Sequence, residues 1–370
     1  MKKLIALLFT MLMVVTFPVT AFAAEEKLTV PDVKDHLPYY YTLLSAEEKE
    51  DYLVLRKAVI NHDKRIEFTA SEVTQGFLNK ALAIMLEYDS LTFDIENIST
   101  KSSGYSMNGN FRASKYELVF EYLMTKDNYL RAVAYTDKKI QKFLKTIPED
   151  MSTRNILVKA HDFIAKQCVY DLEYKNGYTA YAAVVYGKAL CEGYAKAFQY
   201  ICEEIGVPCV IAVGDSYNSN IGHAWNKVKI GDNWYNVDVT NDDTDSEMNG
   251  YVSKSYMFLA DSEYPLAKEI NTDELDEPVA SDTTRSFYEL SKQTFATSAD
   301  AIEYMKTKLQ GDLPVNVAVA FADKAEYKKF LDDFFDAASK TPALKKYSEA
   351  TAYYYTNDMM NTIILYFYSE

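Results

Sequence analysis

Residues 179–198 read Thr179-Ala-Tyr-Ala-Ala-Val-Val-Tyr-Gly-Lys-Ala-Leu-Cys191-Glu-Gly-Tyr-Ala-Lys-Ala-Phe198, and they determine how the middle of the chain folds. A helix is predicted from Glu192 onward, because small and apolar residues recur at steps of three or four, at Ala195, Phe198, Cys202 and Ile205. Gly206 and Pro208 are typical of a helix end. Cys191 therefore lies at the N-terminus of a predicted helix.

The segment after this helix predicts a strand and a β-hairpin. Cys209 to Val213 is short and apolar, and alternating residues run from His223 to Ile230 and from Asn233 to Thr240 around Gly231-Asp232. With a two-residue loop Ile230 faces Asn233, and Asp238 becomes the diagonal neighbour of His223, roughly 7 to 8 Å away at Cα. A three-residue loop would put the two side chains on opposite faces.

Cys191 is the candidate nucleophile. A helix N-terminus stabilises a thiolate, because its unpaired N–H groups point towards the sulfur. The other cysteines, Cys168, Cys202 and Cys209, are expected to fill the core, and with Cys191 free at most one disulfide can form among them. Their spacing does not choose the pair, and it matches neither a CxxC motif nor a zinc ligand set.

A nucleophilic thiol needs a base, and the chain has four histidines. His36, His62 and His161 are expected to be structural or solvated. His223 instead begins a strand and is followed by Trp225, an aromatic residue that can shield a polar contact. Asp238, between two valines, suits a half-buried carboxylate that orients the imidazole. The alternative interpretation of Asp238 is a surface residue of the hairpin.

Three separated blocks of the sequence resemble the bacterial transglutaminase-like superfamily. They are the stretch quoted above, Gly222-His-Ala-Trp-Asn226 and Trp234-Tyr-Asn-Val-Asp238-Val-Thr240, and the resemblance covers about residues 152–262. It implies an α+β fold with a papain-like core, in which the helix carrying the nucleophile packs on an antiparallel sheet. It also implies Cys191 as the nucleophile, His223 as the general base and acid, and Asp238 as the orienting acid.

The same resemblance suggests further site residues. Tyr181 stands where the family has a tyrosine and is a candidate for stabilising the oxyanion, with a core aromatic as the alternative, and Trp225 is a candidate pocket residue. Family members often have an aromatic residue where this chain has Asn241. We expect this departure to affect the pocket lining more than the three catalytic candidates.

The rest of the chain is predicted to form flanking regions. Residues 1–23 resemble a signal peptide, with Lys2, Lys3, an apolar run and an Ala21-Phe22-Ala23 cleavage site, and the alternative is an uncleaved membrane anchor. The predicted domains are an N-terminal α+β region (24–150), the catalytic domain (151–270) and a C-terminal α+β domain (285–370). The main predicted elements outside the core are helices at 71–86, 128–147, 152–167 and 324–338, helices beginning at Ser45 and Ser298, and strands at 65–69, 116–122, 315–321 and 362–368.

The charge of the chain and the spacing of its acidic residues argue against a nucleic-acid partner and an EF-hand calcium site. The 370 residues carry a formal charge of −15, which disfavours a nucleic-acid partner. The acidic run from Asp242 to Glu247 lacks the spacing of an EF-hand and is expected to be a solvated loop, so no metal or cofactor is expected.

The sequence therefore predicts an exported thiol enzyme. It would transfer or hydrolyse acyl groups at glutamine or peptide amides of an extracellular protein or peptide, and association with the cell wall is one option. The alternatives are a cysteine endopeptidase and a non-catalytic cell-surface binding or scaffold module that keeps the fold.

Overall fold

The computed structural model describes residues 35–108, 110–215, 222–244, 250–265, 267–268 and 275–368. The predicted signal peptide lies outside these residues. None of the described helices combines the length and the apolar character that crossing a membrane requires.

The first region combines helices with a three-stranded antiparallel sheet of order β1-β3-β2. Its elements are α1 (Tyr39–Thr42), α2 (Ala46–Ile60), β1 (Arg65–Thr69), α3 (Gln75–Ala83) with a short π-helix (Ile84–Tyr88), β2 (Ile95–Met107), β3 (Asn110–Tyr122) and α4 (Lys126–Leu144). A capping box begins α2, because the Ser45 hydroxyl accepts from the N–H of Glu48 and the Glu48 carboxylate accepts from the N–H of Ser45. The sequence predicted this helix start, but β2 was not predicted.

The middle region contains the helix that begins with Cys191. Its elements are α5 (Thr153–Gln167), β4 (Val169–Tyr170), a π-helix (Ala182–Tyr186), β5 (Lys188–Ala189), α6 (Cys191–Glu204), β6 (Cys209–Asp215), β7 (Gly222–Ile230), β8 (Asn233–Val237), β9 (Met257–Leu259) and β10 (Ala267–Lys268). Five strands form an antiparallel sheet of order β10-β6-β7-β8-β9, and α6 packs against β6 and β7. This is the predicted α+β arrangement of a helix on an antiparallel sheet.

Burial of α6 fixes the position of Cys191. Tyr194, Phe198 and Ile201 are fully buried in a core that also includes Ile140 and Leu157, so helices α4 and α5 pack around α6. Gly193 allows a close approach at the start of the helix, since a Cβ there would lie 2.1 Å from the carbonyl oxygen of Gly177. Cys191 is therefore held by a buried helix.

The last region is a sheet covered by helices on one face. Its elements are α7 (Phe287–Leu290), β11 (Thr294–Phe295), α8 (Ser298–Lys308), β12 (Val315–Phe321), α9 (Lys324–Lys340), α10 (Lys345–Glu349), β13 (Thr351–Asn357) and β14 (Thr362–Tyr368), and the strand order is β11-β12-β14-β13. Helices α8 and α9 cover one face of the sheet. On the other face, Ala318 and Ile364 pack in one cluster with Tyr288 and Tyr251, which precede this sheet in the chain.

Candidate active site

Cys191 is the first residue of α6 and is half-buried. Leu190 occupies the N-cap position and no side chain caps the helix. The N–H groups in the first turn of a helix have no partners within the helix, and together with the helix dipole they favour an anion. The sulfur thus lies where a negative charge is stabilised.

The other cysteines occupy different surroundings. All four cysteines are free thiols, so the one disulfide that the sequence allowed is not formed. Cys168, Cys202 and Cys209 are buried. Burial raises the pKa of the Cys168 thiol to about 12 and raises that of Cys209 well above its ordinary value. Cys191 is the most accessible of the four.

The hairpin brings His223 to Asp238. Ile230 pairs with Asn233 across the two-residue loop, which is the register that the sequence predicted. The ladder ends at Val237, and Asp238 follows directly in a turn. The distance between Nε2 of His223 and Oδ2 of Asp238 is 2.8 Å. The expected contact between the two side chains is therefore present.

Asp238 is fully buried and accepts several hydrogen bonds. The hydroxyl of Tyr264 donates to Oδ2 at 2.7 Å, and the backbone N–H of Asn241 donates to Oδ1 at 3.1 Å. Burial opposes ionisation of this carboxyl group. The adjacent His223 and these hydrogen bonds outweigh burial and lower the pKa of Asp238 below its ordinary value. Asp238 is thus held as a carboxylate.

His223 is correspondingly held as an imidazolium. Burial opposes its charge, but the Asp238 carboxylate and hydrogen bonds with Asp238 and Cys191 raise the pKa of His223 to about 10. Because Nε2 is engaged by Asp238, Nδ1 is the ring nitrogen left for the sulfur of Cys191. The structure therefore brings the three residues singled out from the sequence together, with His223 hydrogen-bonded to Asp238 and Cys191 close enough to His223 to raise its pKa.

Trp225 lies beneath the ring of His223. It is buried, its indole N–H donates to Asn236 at 2.8 Å, and its ring is nearly parallel to that of His223 with 6.0 Å between centroids. The assignment of Trp225 as a pocket residue stays a prediction.

The expectation for Asn241 was wrong. Its side-chain amide donates to Oδ2 of Asp238 at 2.5 Å and its nitrogen lies 3.2 Å from Nε2 of His223. The turn that follows β8 folds back on itself, which brings residue 241 over residue 238. Asn241 thus contacts the candidate acid and base directly.

The assignment of Tyr181 to the oxyanion stays a prediction. Its hydroxyl donates to the hydroxyl of Tyr186 at 3.0 Å. Burial, and then the neighbouring Cys191, raise the pKa of Tyr170, so this tyrosine lies near the thiol. The sequence placed Tyr170 in the segment that precedes the candidate nucleophile and assigned it no role in the site.

A second buried pair of histidine and aspartate lies next to the first. Nε2 of His161 is 3.2 Å from Oδ2 of Asp242, and both side chains are inaccessible to solvent. Asp242 was expected in a solvated acidic loop, and this was wrong, because its carboxylate also accepts the backbone N–H of Tyr256. Asp243 accepts a hydrogen bond from Tyr194, and Asp245 and Glu247 lie outside the described residues.

Residues 141–239 match the profile of the Transglutaminase-like superfamily. No curated protein matches the chain.

Solved structures that resemble the chain do so weakly. A crystal structure of a TGase is 17% identical, over 40% of this chain and 44% of its own, with a TM-score of 0.28. A putative cysteine protease from Cytophaga hutchinsonii is 15% identical, over 40% of this chain and 65% of its own, with a TM-score of 0.26. The periplasmic domain of TgpA from Pseudomonas aeruginosa is 14% identical, over 41% of this chain and 65% of its own, with a TM-score of 0.24. The chain thus spans less than two thirds of each of these proteins. Residues 141–239 form a domain of the transglutaminase-like superfamily, built on the α+β core that carries Cys191, His223 and Asp238.

Proposed function

We propose that this protein is a thiol enzyme that transfers or hydrolyses acyl groups at glutamine or peptide amides. The observation that supports it is that Cys191, His223 and Asp238 lie together at an uncapped helix N-terminus. A thiolate beside an imidazolium whose other nitrogen is held by a carboxylate is the arrangement that acyl transfer through a thioester requires.

The reaction proceeds in two halves. The sulfur of Cys191 attacks the carbonyl carbon of the amide, and N–H groups at the start of α6 hold the oxyanion. His223 gives its proton to the amide nitrogen as the C–N bond breaks, so that ammonia or an amine leaves and a thioester remains. An amine or water then transfers a proton to His223 and attacks the thioester, which releases the product and restores the thiolate.

Alkylation of the thiol tests the nucleophile. Iodoacetamide at neutral pH should modify Cys191 first, located by mass spectrometry of the peptides, because the other three thiols are buried. His223→Ala should slow this reaction by at least roughly tenfold, because the positive charge beside the sulfur is lost. The matched control is His62→Ala, since His62 lies 2.8 Å from Asp94 in a comparable pair. Equal rates for the native protein and His223→Ala would contradict the proposal and favour a scaffold.

A second assay separates transfer from proteolysis. Incorporation of a fluorescent amine into casein would identify a transferase, and release of casein peptides would identify a protease. Cys191→Ala should abolish either activity. Casein left unchanged while Cys191 still reacts fast would point to another amide substrate, which crosslinking or cleavage of extracellular proteins followed by mass spectrometry would identify.

We also propose that the enzyme acts outside the cell on a protein or peptide partner. The form of residues 1–23 supports this proposal. Fractionation of cells that express the full chain, with N-terminal sequencing of the secreted product, should give a mature protein that begins at Ala24. Retention of the uncleaved chain in the membrane fraction would contradict it.

A further inference from the structure

A second cluster of polar side chains lies at the end of α6 opposite to Cys191. It joins His36, just before α1, to Asp137 on α4 and Glu204, the last residue of α6. One ligand atom from each residue lies within 4.8 Å of the others. Nε2 of His36 is 2.9 Å from a carboxylate oxygen of Glu204, and the His36 side chain is only 3% exposed. Three separate elements therefore bring a nitrogen and two carboxylates together.

Three carboxyl groups lie near the imidazole of His36. Besides Asp137 and Glu204, the carboxylate of Glu203 lies 4.0 Å from Nδ1 of His36. Arg56 is nearby, but it forms a buried ion pair with Asp89. A single imidazole thus faces three carboxyl groups.

Two buried polar atoms at the cluster have no hydrogen-bond partner among the described residues. They are Nδ1 of His36 and the hydroxyl of Tyr200, a residue that is 1% exposed. The two rings are in contact, with 4.0 Å between centroids. Burial, and then the neighbouring Asp137 and Glu204, raise the pKa of the Tyr200 hydroxyl, so this hydroxyl lies close to both carboxylates. Because buried polar groups are normally paired, these atoms indicate a ligand within the cluster.

We propose that His36, Asp137 and Glu204 bind a divalent transition metal ion of the zinc type. One imidazole nitrogen with two carboxylate oxygens suits zinc, whereas calcium and magnesium prefer oxygen ligands alone. Zinc–ligand bonds of about 2 Å place tetrahedral ligand atoms roughly 3.3 Å apart. The pair at 2.9 Å would therefore separate slightly, and the atoms up to 4.8 Å apart would approach one another. Gln141 donates to both Asp137 and Glu204 and orients the two carboxylates from the outer side. The Tyr200 hydroxyl is available to a water on the metal.

The site has a structural role and does not depend on the proposed function. Helix α6 has 14 residues, so its last residue lies about 20 Å from Cys191. A metal there would tie the segment before α1 to α4 and α6, and it would stabilise the folded chain in proportion to its affinity. The three proposed ligands are far apart in the sequence, so no short sequence motif predicts the site.

Zinc binding can be tested without any activity assay. The full chain with Cys191→Ser, which removes the accessible thiol as a competing ligand, is stripped with EDTA and titrated with zinc against a colorimetric indicator. We expect one saturable site per chain, a rise in the melting temperature, and an X-ray absorption spectrum with nitrogen and oxygen neighbours but no sulfur. Asp137→Asn with Glu204→Gln in the same background should weaken binding by at least roughly tenfold and remove the rise in melting temperature.

His62→Gln, in the separate buried pair of His62 and Asp94, should leave zinc binding unchanged. If the double variant does not fold by circular dichroism, His36→Gln replaces it in the same titration. Absence of saturable binding, or binding that none of these ligand substitutions weakens, overturns the proposal.

Discussion

The carboxylate of Asp238 accepts hydrogen bonds from three side chains and one backbone N–H. Oδ2 accepts from His223, Tyr264 and the side chain of Asn241, and Oδ1 accepts from the backbone of Asn241. Burial and the adjacent carboxylate raise the pKa of the Tyr264 hydroxyl well above its ordinary value, so it remains a donor. These donors share the charge of the carboxylate and fix its orientation towards the ring. The residue that departs from the family pattern, Asn241, is one of them.

Replacement of Asn241 tests its positioning role. In Asn241→Ala, Asp238 loses one donor and a constraint, so we expect alkylation of Cys191 by iodoacetamide to slow by about three- to tenfold. The pKa of His223 should rise, because Asp238 then interacts with fewer competing donors, and NMR titration of the histidine rings measures this change. Asn233→Ala, at an exposed position of the same hairpin, is the control. An unchanged rate together with an unchanged pKa would exclude this role for Asn241.

At the scale of elements, helix α5 anchors the turn that carries Asp238. The side chain of His161 on α5 contacts Asp242, and the N–H of Asp242 donates to the carbonyl of Asp238 at 3.3 Å. Asp242 also accepts the N–H of Tyr256, whose carbonyl accepts the N–H of Asp238. The hydrogen bonds among Asp238, Asp242 and Tyr256 form a closed ring. Because His161 contacts Asp242, the position of Asp238 depends on a helix that is distant in the sequence.

The pair of His161 and Asp242 predicts a dependence of stability on pH. Burial opposes the charge of His161, but hydrogen bonds with Asp162 and Asp242 outweigh it and raise its pKa above the ordinary 6.5. A histidine whose pKa is higher in the folded protein stabilises the fold fully below about pH 6.5. This contribution is lost as the pH rises through the pKa that the histidine has in the folded state. His161→Gln should therefore cost about 3 kcal/mol of unfolding free energy at pH 6 and progressively less at higher pH.

Urea unfolding from pH 6 to pH 9 measures this difference. His62→Gln serves as the comparison, because His62 also forms a buried pair, with Asp94. It measures how much unfolding free energy is lost when any paired histidine is replaced. A cost of His161→Gln that stays constant with pH would show that the histidine is neutral in the folded protein.

The elements differ in how well the sequence predicted them. Helix α6 and the hairpin of β7 and β8 follow from local periodicity and a two-residue loop, and that register sufficed to place His223 near Asp238. Strand β2 exposes nearly every side chain and carries no alternating pattern, so no hydrophobic signal marked it. The contact of His161 with Asp242 joins residues 81 positions apart, and that of Asn241 depends on the shape of a turn. Neither is encoded in a periodic pattern.

At the scale of the whole molecule, the last region contacts the wall of the candidate site. The hydroxyl oxygens of Ser255 and Thr362 lie 2.6 Å apart, and Met360, in the turn between β13 and β14, packs on the cluster of Trp225 and Tyr264. Tyr264 in turn donates to Asp238. Packing therefore continues from the C-terminal sheet to the carboxylate that orients His223.

This continuity predicts that a change in the last region affects the thiol. Met360→Ala removes part of the packing around Tyr264 and should lower the unfolding free energy by about 1 to 2 kcal/mol. It should also slow the alkylation of Cys191, by a smaller factor than His223→Ala does. Met359→Ala changes the same residue type in the same turn, at a half-buried position outside that cluster, and should leave alkylation unchanged. Rates of alkylation and urea unfolding of the two variants measure both effects. If Met360→Ala lowers stability without slowing alkylation, the last region supports the fold only, because the packing then does not extend to Asp238.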